Sequence, residues 1–173
     1  GYALEVKNGR ITWSKNMKTN KITRPGSKKS TVKTKKLKGS YYKIISKSKR
    51  TVQYVKPVKK NIISVTIPSS IKLNGKRYKV TGIAANAFKN CKKLKKVTIG
   101  TNVNSIGKRT FYGCSKLRTI KVKTSKLTGS RVGKQAFKGL NKKAVIKVPK
   151  KQLKAYKRLF RAKGVGKKVT IKK

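Results

Sequence analysis

The side chains that most hydrolases and transferases rely on are nearly missing. The chain has no His and no Asp, and Glu5 is its only carboxylate side chain. A carboxylate pair for glycoside cleavage is excluded, and so is a Ser or Cys nucleophile activated through His. A lysine could serve as a base, but nothing singles out one among so many. Zinc takes four ligands as a rule, and Cys91 and Cys114 cannot supply them alone. Catalytic, cofactor and metal sites are therefore not expected. What remains is cationic chemistry. Lys and Arg total 52 against one acidic residue, a formal net charge of +51. Only nine of these are Arg, so most are mobile ammonium groups and not planar forks.

The elements that must carry these cations show themselves as repeats. Leu94, Val97, Ile99, Phe88 and Cys91 recur 23 residues later as Leu117, Ile120, Val122, Phe111 and Cys114. A spacing of 26 then links Gly107 to Gly133, Phe111 to Phe137, and Cys114 to Leu140. It also carries Ile120 and Val122 onto Ile146 and Val148. In VTI, IKV and IKV, apolar residues flank one outward residue, the pattern of a short half-buried strand. One such repeat cannot bury enough surface to fold alone, so the repeats must stack. Val65, Ile67, Val97, Ile99, Ile120, Val122, Ile146 and Val148 are expected to be buried on neighbouring parallel strands.

The pattern L-x-x-V-x-I-x-x-x-V-x-x-I-G-x-x-x-F-x-x-C resembles the BspA-like (type 5) leucine-rich repeat of surface and secreted proteins from gut and oral bacteria. The likeness is close over residues 63–143 and extends more loosely over 39–173. The segment KKAVIKVPKKQLKAYKRLF is similar to C-terminal modules of secreted clostridial gut proteins. Two departures stand out. Lys143 replaces the Leu of Leu94 and Leu117, so the last repeat should open toward a cap, and the first repeat is nine residues longer than the second. The resemblance implies a leucine-rich-repeat solenoid, mainly β with short parallel strands. It also implies a secreted or cell-surface location.

Caps and boundaries are read from turn chemistry. Asn74 and Gly75, flanked by IKL and KRYKV, predict a hairpin, because both turn residues need positive φ. YYKIIS and TVQYV around residues 47–50 predict an N-terminal hairpin cap. Pro149 suits the first turn of a helix striped by Leu153, Tyr156, Leu159 and Phe160 and stopped by Gly164. Val169, Thr170 and Ile171 complete this C-terminal helix-plus-strand cap. Residues 1–37 read as a small hairpin about Asn8 and Gly9 followed by a basic linker with Pro25 and Gly26, the tail of a preceding domain; residues 38–173 form the repeat domain. No run of apolar residues is long enough to span a bilayer, and no signal peptide is visible, which predicts a mature chain or a piece of a larger one.

Because repeats stack, their surface residues form rows. Lys93, Lys116 and Lys142 share one repeat position, and Lys108 and Lys134 another. With Lys95, Arg118, Lys151, Lys154, Lys157 and Arg158 they are the expected polyanion contacts. A polyanion laid along such rows turns their mutual repulsion into attraction and releases counterions. The expected ligand is an anionic polymer such as teichoic acid or wall glycan phosphate. Sequence-independent nucleic-acid binding, adhesion to anionic host glycans and an inert spacer are the alternatives. Phe88, Phe111 and Phe137 recur at one repeat position and are read as core, not as platforms for bases. Trp13 and Tyr41 are the aromatics left as exposed contacts, and Cys91 and Cys114 are read as buried, unpaired core residues.

Overall fold

Short strands with one apolar side are stable only where neighbours cover that side, and this chain coils to provide them. The computed structural model describes residues 2–7, 10–15 and 33–173. The chain divides into two units, Gly1–Thr31 and Val32–Lys173. In the first, β1 (Tyr2–Lys7) and β2 (Arg10–Lys15) pair antiparallel, with Lys7 opposite Arg10. The Asn8 and Gly9 turn, residues 16–32 of the expected linker and the side chain of Trp13 lie outside the described residues.

The second unit begins with β3 (Thr34–Leu37), β4 (Ser40–Ser46) and β5 (Thr51–Pro57), joined as an antiparallel meander. β3 corrects the expectation of linker through residue 37. Its TKKL sequence has no apolar alternation, and the strand exists through backbone pairing with β4 across the positive-φ pair Lys38 and Gly39. Exposed lysines on such an edge also discourage pairing with another chain. β5 then runs parallel to the end of β8, so the meander does cap the N-terminal end of the stack.

Beyond it the coil alternates between two ladders. β6 (Ser64–Ile67) is followed by β7 (Ser70–Leu73) and β8 (Lys76–Ile83), a hairpin turned by Asn74 at φ 47° and Gly75 at φ 75°. Next come β9 (Lys96–Ile99), β10 (Ser105–Ile106), β11 (Thr119–Val122) and β12 (Val145–Lys147). A 3-10 turn (Lys150–Gln152), α1 (Leu153–Ala162) and β13 (Thr170–Lys172) close the C-terminal end. Pro149 caps the 3-10 turn and so stands one turn ahead of α1, not in its first turn. One ladder is the all-parallel sheet β6, β9, β11, β12, β13; the other runs β5, β8, β10 and ends in a bridge from Ile106 to Val132.

Register makes each repeat position a column. Val65, Val97, Ile120, Ile146 and Ile171 are successive partners, as are Ile67, Ile99 and Val122. All are buried except Val65, which is half-buried although Ile67 of the same strand is fully buried. Val148 is buried just beyond β12, its N–H donating to the Lys172 carbonyl. Inside the coil, Tyr54, Phe88, Phe111 and Phe137 stack with centroids 5.2, 5.3 and 5.5 Å apart. Phe160 of α1 extends this spine at 4.9 Å. The cap is tied down further by Tyr156, whose hydroxyl donates to the Thr124 carbonyl and accepts the Leu127 N–H.

Candidate anion-binding surface

The parallel ladder has an outer face as well as an inner one. On it Thr66 lies opposite Thr98, Thr98 opposite Lys121, Lys121 opposite Lys147, and Lys147 opposite Lys172. The three lysines are exposed. Adjacent strands are about 4.8 Å apart, and two ammonium charges at roughly 5 Å repel by about 0.8 kcal/mol even in bulk-water dielectric. No carboxylate side chain occurs anywhere in residues 33–173 to relieve this. This row was not among the expected contacts. Its signal was present in the sequence, as the middle residue of two IKV strands 26 residues apart.

All the expected contacts are exposed, but the fold sorts them into separate groups. Lys93, Lys116 and Lys142 stand in turns three residues ahead of β9, β11 and β12, and Lys167 holds the same place ahead of β13. Lys95 and Arg118 adjoin that row, the Arg118 N–H donating to the Lys95 carbonyl at 3.0 Å. The row ends there, because the next partner position is the buried Ala144. Lys108 and Lys134 form a different row, at the exit of the second ladder, where the Arg109 N–H reaches the Lys134 carbonyl at 3.1 Å. Lys151, Lys154 and Arg158 come together with Lys163 around an open groove of about 890 Å3 along α1, floored by Ala155, Leu159 and Ala162. Lys157 is exposed outside that groove.

Among the described residues no group of three or more His, Cys, Asp or Glu could hold a metal ion. Cys91 and Cys114 are buried and free, and burial pushes both thiols away from the reactive thiolate. Tyr41 is half-buried, with the Lys56 ammonium 5.7 Å from its ring centroid. No helix among the described residues is long and apolar enough to cross a membrane.

Comparison with known proteins agrees with this architecture. No curated protein matches the chain. A leucine-rich cell surface protein of Faecalibacterium prausnitzii A2-165 is 20% identical with a TM-score of 0.52, matching 68% of this chain and 37% of its own. A leucine-rich repeat protein of Bacteroides ovatus ATCC 8483 is 23% identical with a TM-score of 0.47, over 64% of this chain and 36% of its own. A leucine-rich repeat protein of T. pallidum is 19% identical with a TM-score of 0.44, over 68% and 72%. The chain thus spans little more than a third of the length of the first two. Residues 58–173 match the BspA type leucine rich repeat region in six copies. With that match over most of its length, the chain belongs to the BspA type leucine-rich repeat family.

Proposed function

We propose that this chain is a non-catalytic, highly cationic binding module of a cell-surface or secreted bacterial protein, and that it holds anionic polymers such as teichoic acid or wall glycan phosphate. The observation that carries the reading is the in-register row Lys121, Lys147 and Lys172 on an exposed parallel ladder, in a unit without acidic side chains. Like charges set at a fixed short spacing oppose folding unless a counter-charge runs along them. The name of the Faecalibacterium relative, a cell surface protein, supports the location. The proposed contacts are that row together with Lys93, Lys95, Lys116, Arg118 and Lys142 beside it. Lys108 and Lys134, and the α1 group of Lys151, Lys154, Lys157 and Arg158, are secondary contacts for a long polymer.

The test is a salt series of binding to purified teichoic acid and to duplex DNA of equal phosphate content. Tighter binding to teichoic acid is expected, with a steep loss as salt rises. For DNA, six to ten contacts would cost about a thousandfold or more between roughly 50 and 200 mM. Replacing Lys121, Lys147 and Lys172 by Gln should weaken teichoic acid binding by about tenfold or more. Tighter binding to DNA would favour the nucleic-acid alternative. Binding indifferent to salt and to these substitutions would leave only an inert spacer.

A further inference from the structure

Where the N-terminal meander meets the first full turn of the coil, a cavity of about 600 Å3 opens between Tyr41, Lys56, Lys60, Asn86, Lys89 and Asn90. Unlike the lysine rows, it draws residues of different chemistry from three parts of the fold. Tyr41 of β4 lies opposite Lys56 of β5, and the Lys56 ammonium over its ring sets one charge at the wall. Such a contact is enough to bias a flexible side chain at an exposed site. Lys60 and Lys89 add two more cations.

Asn86 and Asn90 give the cavity its particular character. Both have positive φ, at 59° and 58°. The same backbone positions in later turns are held by Arg109 and Gln135, and by Gly113 and Gly139. Only the first turn therefore puts amides at both. The Asn90 Oδ1 lies against the next turn, where a Cβ on Gly113 would come within 2.3 Å of it, so the glycine there lets the Asn90 side chain lie flat at the edge of the cavity. An amide offers donors and an acceptor together, which is what sugar hydroxyls require, whereas a lysine only donates. The volume lies within the range of small-molecule sites, about 300–1,000 Å3. A nucleobase would want a free aromatic face, and the one aromatic ring here already carries Lys56.

We propose that this cavity binds a single anionic sugar residue, a pyranose bearing a carboxylate or a phosphate. Lys56, Lys60 and Lys89 would meet the acid, and Asn86, Asn90 and the Tyr41 hydroxyl the ring hydroxyls. This deepens the reading above and rests on it, since the sugar would be one unit of the anionic polymer that the lysine rows hold.

Calorimetric titration of the full chain with methyl glucuronide and with glucose 6-phosphate tests it and separates the two acids. Saturable binding of one of them is expected, about tenfold or more tighter than methyl glucoside or inorganic phosphate. Asn90→Gly keeps a residue that tolerates positive φ and should lower that affinity about fivefold or more, as should Lys56→Gln on an exposed site. Lys121→Gln with Lys147→Gln should leave it unchanged while weakening polymer binding. Equal affinity for inorganic phosphate, tighter binding of adenosine monophosphate, or indifference to Asn90→Gly and Lys56→Gln would overturn the proposal. So would teichoic acid binding without saturable binding of either acidic sugar, an outcome that leaves the polymer reading intact.

Discussion

Cys114 shows how a residue suited to chemistry can be held back from it. Its thiol is fully buried and donates to the Phe88 carbonyl at 3.1 Å, and burial pushes its pKa from an ordinary 9.0 up to about 12. The native protein should resist iodoacetamide at pH 8, with labelling appearing only on unfolding, as read by mass spectrometry. Rapid native labelling would mean the core assignment is wrong. The raised value also sets a sign for pH dependence. Between pH 9 and 12 the unfolded thiol ionises while the native one does not, so the contribution of Cys114 is complete below pH 9 and lost across that window. The melting-temperature advantage of the native chain over Cys114→Ala should therefore shrink as pH rises through it. Both cysteines could be placed in the core from sequence because Leu140 takes the same repeat position. The need for glycine at Gly107 is a finding of the structure, since a Cβ there would come within 2.2 Å of the Ala85 backbone nitrogen.

At the scale of elements, the aromatic spine runs through the middle of repeats that the parallel ladders already hold in register. Phe111 is flanked on both sides, by Phe88 at 5.3 Å and Phe137 at 5.5 Å. Phe111→Ala should cost about 3–5 kcal/mol in chemical denaturation, from lost burial and the cavity left behind. Stacked pairs add about 0.5–1.5 kcal/mol each beyond burial. A loss under roughly 1 kcal/mol would show that the coil does not depend on this column. The three repeat phenylalanines were legible because they recur. Tyr54 was not, because it sits in a cap strand without the motif and reaches the spine only through the parallel pairing of β5 with β8. β3 escaped for a related reason. Its side chains carry no alternating pattern, and pairing with β4 makes it a strand, with only Leu37 packed toward the core. The helix was legible by its stripe, with Tyr156 and Phe160 buried and Leu153 and Leu159 packed at the margin.

For the whole molecule the governing quantity is charge density. Folding gathers the cations of residues 33–173 onto one surface, and unfolding spreads them out. A polymer that binds only the folded form stabilises it by about 2.7 kcal/mol at a hundred times its dissociation constant. Teichoic acid should therefore raise the melting temperature beyond sodium chloride at matched ionic strength, as followed by calorimetry. A rise no greater than that of chloride would count against a bound polymer and for simple screening. Sequence alone determined the repeat period, the inward columns, the scarcity of acidic groups and the hairpin turns at residues 47–50 and at Asn74 and Gly75. These follow from local periodicity and residue inventory, which need no knowledge of what packs on what. The tertiary structure decided which cations stand side by side. Lys172 joins the repeat-spaced Lys121 and Lys147 only through the pairing of β13 with β12, and Lys151, Lys154 and Arg158 form a group apart around α1. It also brought Tyr41, Lys56 and Asn90 to one cavity across nearly fifty residues of chain. Such neighbours are set by the closure of the coil, and no local pattern encodes that.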